Sequence, residues 1–249
     1  MTDPGCNKTW ACSSLLFCRR LQTVMPEPRD QWRHFALLLS ILFLFVIAPV
    51  IAIFPDGAMI MNIVAAIVLM AATYALVGRK RLFAAALALC AISIVATWLL
   101  LITKTRWAAI FSHSCVVVLI SYFCVTILNY VLRGSRITLD KIFAAVCVYL
   151  LIGYAWTFAY ALVEELQPGA FVALSPISPD EYVTRVLEMR YFSFMTLTTV
   201  GYGDLVPRSA TARTLASLEA ITGQIYLMVL VARLVGLHIV HAHSGQKND

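Results

Sequence analysis

Residues 198–204, T-T-V-G-Y-G-D, combine two glycines, a tyrosine and an acid within an otherwise apolar chain. Successive backbone carbonyls of such a stretch can replace the water around a dehydrated cation, provided that they all point one way. Gly201 and Gly203 tolerate the positive φ angles that this arrangement requires. The Thr199 hydroxyl adds one more hard oxygen ligand of the kind that suits alkali cations. One chain supplies only one wall of such a ring, so the stretch predicts an oligomer about a central axis.

The composition indicates what must position this stretch. Of the 249 residues, 61% are hydrophobic and only 13% are charged, as in a polytopic membrane protein. The net charge of +6 comes from basic residues at segment ends, not from one stripe, so nothing favours a nucleic-acid partner. No nucleophile–base pair or phosphate-binding loop stands out, which argues against an enzyme and against an organic cofactor.

Six continuous apolar runs are each long enough to cross a bilayer of about 30 Å as a helix. The runs are 35–54, 57–77, 82–102, 107–132, 142–163 and about 214–240, the fifth being closed by Glu164 and Glu165. Six spans put both termini on one side, and thirteen of the 19 Lys and Arg residues then share that side. The positive-inside rule makes it the cytoplasm, so we expect a multi-pass protein of the plasma membrane, or of the inner membrane in a bacterium.

A shorter amphipathic segment, 187–199, lies between the last two runs and is about half a membrane long. Ser178-Pro179-Asp180-Glu181 is a capping box with proline at the first helical position, which predicts the start of a short helix. The order is therefore helix, half-helix, irregular loop, helix. Irregular backbone at membrane depth persists only where protein buries it or it lines a water-filled path.

With these elements in place, T-V-G-Y-G from Thr199 to Gly203 resembles the selectivity filter of tetrameric potassium channels. Residues 191–207, YFSFMTLTTVGYGDLVP, resemble the pore helix and filter of the bacterial-type ion-channel family, and 218–236 resemble its inner helix. The resemblance covers about 142–240. The four helices before it suggest the six-segment layout of voltage-gated-like channels by segment count alone.

The resemblance implies an all-α homotetramer, embedded in membrane lipids, that conducts K⁺ passively. K⁺ would bind at Thr199, Val200, Gly201 and Tyr202, with Gly203 shaping the outer mouth. Tyr202 would face away from the ions and brace the loop against aromatic side chains. The residues expected to support the filter are Thr198, Asp204, Met195, Tyr191 and Phe192. Several family members carry a glutamate as the partner of the aspartate; here that position is Met195, which leaves an acid–acid lock in doubt.

Two residues of the last span are candidates for a role in gating or in supporting the filter. Gly223 is a candidate gating hinge, although close helix packing would also explain a glycine there. Glu219 is an acid within the span, for which we expect a buried hydrogen-bonding role behind the filter. On the expected external side, acidic residues outnumber the bases Arg185 and Arg190. The acids there could make the mouth mildly acidic, or they could belong to a solvated loop with no role in conduction. They are Glu164, Glu165, Asp180, Glu181 and Glu188.

The resulting division of the chain has five parts. They are a cytoplasmic segment 1–34, a four-helix sensor-like domain 35–132, a linker 133–141, a pore domain 142–240 and a short tail 241–249. The span 107–132 contains no Lys or Arg, and its one titratable group, His113, is expected to pack neutrally and not to sense protons. With no charge to move in the field, steep voltage gating is not expected.

Other classes of protein remain open on the sequence alone. A non-selective cation channel, a regulatory channel-like subunit and a cation transporter all use related pore loops. An intact single loop favours four copies of a conducting chain. The stimulus that opens the gate, any lipid or pH regulation and the role of the first four helices are not encoded in these motifs.

Overall fold

The computed structural model describes residues 33–54, 57–75, 80–132, 138–173 and 182–245. Within these ranges the chain forms seven helices and two short strands. They are α1 (Arg33–Ile51), α2 (Gly57–Ala75), α3 (Lys80–Thr103), α4 (Arg106–Leu132), α5 (Leu139–Leu166), β1 (Phe171–Ala173), α6 (Tyr182–Leu197), β2 (Leu205–Pro207) and α7 (Ala210–Gly245). The capping box 178–181, most of the linker and the N-terminal segment 1–32 lie outside the described residues.

Six of these helices are long and apolar enough to cross a membrane, namely all except α6. This confirms the predicted all-α, six-span membrane protein. Many large apolar side chains point outward, for example Val46 at 71% exposure and Ile102 at 77%. In water such surfaces would associate, whereas in lipid they face their natural solvent.

Some helix ends differ from the predicted runs. Helix α5 starts at Leu139 and runs through Glu164 and Glu165 to Leu166, so these acids belong to its last turn and do not follow it. Glu164 accepts hydrogen bonds from the amides of Gly169 and Phe171, and Glu165 pairs with Arg185 at 3.4 Å. These contacts explain why the helix extends beyond its apolar stretch.

Helix α5 lies at the centre of the subunit. It packs against α1 and α4 on the side of the first four helices, and against α6 and α7 on the side of the pore loop. The main core forms around it and includes Leu37, Ile41, Phe123, Val148 and Phe194.

A two-stranded antiparallel ladder, which the sequence did not predict, lies beside the pore loop. It pairs Phe171 with Pro207, Val172 with Val206 and Ala173 with Leu205. The ladder joins the segment after α5 to the segment after the glycine-rich loop. A second core, containing Tyr160, Phe171, Phe192 and Leu205, packs beneath it.

Candidate ion-conduction site

The pore helix α6 ends at Leu197, and its last carbonyls hold the start of the glycine-rich loop. The amides of Val200 and Gly201 both donate to the Met195 carbonyl, at 2.9 and 3.2 Å. Thr199 has a φ of 60°, a left-handed conformation that commonly ends helices. The chain therefore turns out of the helix on a threonine, a feature that the sequence did not indicate because threonine seldom adopts this conformation.

The two glycines have the positive φ expected of them, 54° at Gly201 and 81° at Gly203. All seven residues of 198–204 are exposed in the single chain, between the buried side chains of Leu197 and Leu205. Val200 is 49% exposed and Tyr202 is 73% exposed. The loop therefore presents a large open surface in the single chain, next to buried residues on both sides.

At the outer end of the loop, the Tyr191 hydroxyl donates to Asp204 Oδ2 at 2.7 Å. Asp204 Oδ1 also accepts from the Leu205 amide. The hydrogen bond to Asp204 raises the pKa of Tyr191 to about 12. Burial and, secondly, the charge of Asp204 raise the pKa of Glu188 above its ordinary 4.5. Tyr191, Asp204 and Glu188 thus form one polar cluster at the mouth.

Two residues expected to support the loop, Phe192 and Met195, make different kinds of contact. Phe192 packs edge-on against Tyr160 and Phe171 in the second core, so it does not brace Tyr202. Among the described residues, no aromatic ring stacks on Tyr202. The Met195 side chain packs against the main core, and this residue supports the loop through its carbonyl oxygen. The Thr198 hydroxyl donates a hydrogen bond to the Phe194 carbonyl at 2.6 Å.

Behind the loop, Glu219 of α7 is fully buried. Its carboxyl group meets the Tyr160 hydroxyl of α5 and the Ser193 hydroxyl of α6, each at 2.5 Å. Ser193 also reaches the Gly153 carbonyl of α5 at 2.8 Å. One carboxyl group therefore connects the outer helix, the pore helix and the inner helix. Sequence patterns could not reveal this triad, because its members are distant along the chain.

Gly223 lies one turn further along α7, where the helix touches the end of the pore helix. A Cβ atom on Gly223 would lie 2.8 Å from both Leu197 Cδ1 and the Leu197 carbonyl oxygen. Helix α7 runs without a break from Ala210 to Gly245. This conformation therefore gives Gly223 a packing role, and the hinge stays a prediction.

At the opposite end of the subunit, two polar contacts connect the helices. Arg233 of α7 donates to the Leu132 carbonyl at the end of α4, at 2.6 Å. Asp140, at the start of α5, accepts from Tyr130 and contacts His34 Nδ1, both at 2.8 Å. No local motif marks this second group, so it could not be predicted from the sequence.

His113 of α4 is 2% exposed, and its ring stacks on Tyr182 with centroids 5.7 Å apart. It lies near the outer end of α4, at the start of the pore helix. This packed position agrees with the expected structural role.

Comparisons with known proteins place this geometry in a class. A family model described as "Ion channel" matches residues 160–238, which include α6, the glycine-rich loop and most of α7. Two pore potassium channel a of Oryza sativa subsp. japonica is 31% identical over 102 residues, 41% of this chain and 28% of the relative. Two-pore potassium channel 1 of Arabidopsis thaliana is 34% identical over 97 residues, 39% of this chain and 22% of the relative.

A bacterial relative is covered more fully. Protein LctB of Bacillus caldotenax is 35% identical over 103 residues, which are 40% of this chain and 74% of the relative. The chain spans less than a third of the length of the plant relatives that it matches. The chain belongs to the ion-channel family, not to a family of enzymes.

Proposed function

We propose that four copies of this chain form a potassium-selective channel that conducts K⁺ passively. The observation that carries the proposal is the exposed T-V-G-Y-G loop between a half-helix and a spanning helix, with positive φ at Thr199, Gly201 and Gly203. The carbonyls of residues 199–202 and the Thr199 hydroxyl are the proposed K⁺ ligands, and Gly203 shapes the mouth. The plant relatives named as potassium channels support the choice of ion.

The tetramer is proposed because the loop is open on one side. Helix α7 exposes a matching apolar surface, with Ile221 at 55%, Ile225 at 51% and Met228 at 61%. Around a central axis, four such loops and helices would enclose a pore and bury this surface. The pore unit would be 142–240, preceded by the four-helix unit 35–132 and the linker 133–141.

We further propose that the channel is not steeply voltage-gated. Moving one charge across a membrane supplies about 2.3 kcal/mol per 100 mV, so a sensor needs several mobile charges. Beyond Arg106 at its outer end, α4 carries no Lys or Arg. The proposed location is the plasma membrane, with both termini in the cytoplasm, in accordance with the positive-inside rule.

Reconstitution tests these proposals directly. The purified protein is placed in liposomes with opposed K⁺ and Na⁺ gradients, and the reversal potential is measured during voltage steps. We expect reversal near the K⁺ equilibrium potential and a conductance that changes little with voltage. Reversal at the Na⁺ potential would contradict K⁺ selectivity. A conductance that rises e-fold over a few millivolts would contradict the absence of steep voltage gating.

A matched pair of glycine variants shows whether the current passes through the proposed loop. Gly201→Ala and Gly169→Ala both place a side chain at positive φ, 54° and 83°, and neither new Cβ would meet an atom within 4 Å of the chain. The two backbone costs are therefore similar. We expect Gly201→Ala to abolish the current or remove its K⁺ selectivity, and Gly169→Ala to leave the current unchanged.

A further inference from the structure

A buried arginine faces away from the proposed pore. Arg190 of α6 is only 8% exposed, and its guanidinium carbon lies 4.6 Å from the centre of the Phe45 ring of α1. From its position in the sequence, Arg190 is expected among the charges of the outer mouth. That assignment is wrong, because the side chain lies among the helices of its own subunit.

Arg190 has no counter-charge in the part of the chain that the structure describes. Its neighbour on the same helix, Arg185, pairs with Glu165 and has a side chain 44% exposed. The guanidinium of Arg190 instead lies over the face of the Phe45 ring, and this cation–π contact offsets part of the cost of burying a cation. Since arginine stays protonated in proteins, a guanidinium inside a membrane protein requires an anion or water to complete its five donors.

Arg190 lines a cavity of about 180 Å³ between α6 and helices α1 to α5. Among the residues described as lining it, Arg190 is the only charged one, and most of the others are apolar. Tyr154 also lines the cavity, is 9% exposed and lies beside Arg190. The buried Tyr154 hydroxyl makes no hydrogen bond of good geometry in the described structure, and the charged group that it faces is Arg190.

Several other polar side chains of the cavity donate to backbone carbonyls, Ser93 to Cys115 and Thr157 to Gly153. Asn62 and Thr97 donate to the carbonyls of Ala58 and Ser93, four residues earlier in each case. The guanidinium of Arg190 and the hydroxyl of Tyr154 thus lie side by side in a mostly apolar cavity. This combination repels metal cations and fits an anionic oxygen group attached to an apolar body.

We propose that this cavity binds the carboxylate of a single-chain anionic amphiphile, such as a fatty acid. The carboxylate would lie between Arg190 and Tyr154. A cavity of about 150 Å³ holds a molecule the size of benzene, so this one accommodates the head and the first part of the chain. The rest of the chain would pass between helices into the surrounding lipid. The bound anion would contact the helix that leads into the glycine-rich loop, and it would be bound without passing through the pore.

Binding to the purified full chain tests this inference independently of ion conduction. The probes are decanoate, decanol and inorganic phosphate, measured by native mass spectrometry and by isothermal titration in detergent. We expect one decanoate per chain, bound at least tenfold more tightly than decanol, and no comparable binding of phosphate. Equal affinity for decanoate and decanol would overturn the proposal, as would phosphate binding as tightly as decanoate, which would indicate a site for free anions.

Variants identify the site. Arg190→Gln should weaken decanoate binding at least tenfold, and Tyr154→Phe should weaken it severalfold. Arg185→Gln, on the same helix but outside the cavity, should leave binding unchanged. If Arg190→Gln does not assemble, Ala66→Leu fills part of the cavity while keeping the arginine, and it should also remove binding. Decanoate binding that persists unchanged in Arg190→Gln, or in Ala66→Leu, would contradict the assignment.

Discussion

The hydroxyl of Tyr191 and the carboxylate of Asp204 are joined by a hydrogen bond of 2.7 Å across the outer end of the glycine-rich loop. Tyr191 belongs to the pore helix, and Asp204 follows the last glycine of the loop. The bond therefore connects the segment that enters the loop to the segment that leaves it.

Removing this bond should destabilise the mouth. Tyr191→Phe keeps the ring and deletes the donor, so the unfolding midpoint should fall slightly. We expect K⁺ flux through reconstituted protein to decay faster in the variant. Tyr122→Phe is the control, because it removes a hydroxyl bonded to the Leu82 carbonyl far from the loop. The same flux decay in both variants would count against a specific role for Tyr191.

Conduction should depend on external pH through Glu188. Its pKa is raised by burial and by Asp204, so it takes up a proton at a higher pH than an ordinary glutamate. As pH falls through this raised value, the mouth loses a negative charge and K⁺ influx at low ionic strength should fall. Glu188→Gln should have the lower influx above this pH, match the unmodified protein below it, and lack the step. High salt should mask the effect by screening, and a step that survives in the variant would exclude Glu188 as its source.

The same shift has a consequence for stability. The folded state binds the Glu188 proton more tightly than the unfolded chain does. The stability contributed by the protonated group is present below the unfolded pKa and is lost as pH rises through the folded pKa. The midpoint of Glu188→Gln should therefore vary less across this interval than that of the unmodified protein.

The Glu219 triad should tolerate loss of charge better than loss of polarity. Glu219→Gln keeps an acceptor for Tyr160 and can donate to Ser193. Glu219→Leu leaves the buried Tyr160 hydroxyl without its partner, which costs about 1–3 kcal/mol. Thermal unfolding should rank the leucine variant well below the glutamine variant. If both variants were equally unstable, the charge of the carboxylate would matter more than its hydrogen bonds.

Gly223 should behave as a packing residue. In Gly223→Ala the new methyl group would lie 2.8 Å from Leu197 Cδ1, and overpacking of this kind costs about 1–3 kcal/mol. Adding Leu197→Ala should recover part of the loss, but not all, because the Leu197 carbonyl oxygen is equally close. Gly236→Ala, on the same helix with no atom within 4 Å, is the control and should not destabilise. Altered channel opening in Gly223→Ala without a change in its unfolding midpoint would instead support the hinge.

Much of this architecture could be predicted from one-dimensional signals. Long apolar runs determine spanning helices because backbone polar groups have no other partner in lipid. The residue types at Gly201 and Gly203 are enough to indicate a left-handed backbone. Contacts between distant residues could not be predicted. Glu219 meets Tyr160 and Ser193 only after three helices pack, and the three-residue strands are too short to show an alternating pattern. Arg190 was misplaced because its sequence neighbours suggest the outer surface, whereas the phase of α6 turns it toward α1.

The β1–β2 ladder has a consequence for assembly. By pairing Phe171 with Pro207, it closes the intervening segment, including the pore helix and the glycine-rich loop, within a single chain. Part of the conformational entropy of this segment is therefore lost during folding, before any other copy binds. Association of four such chains would bring together preformed loops, which lowers the entropic cost of building a narrow axial site.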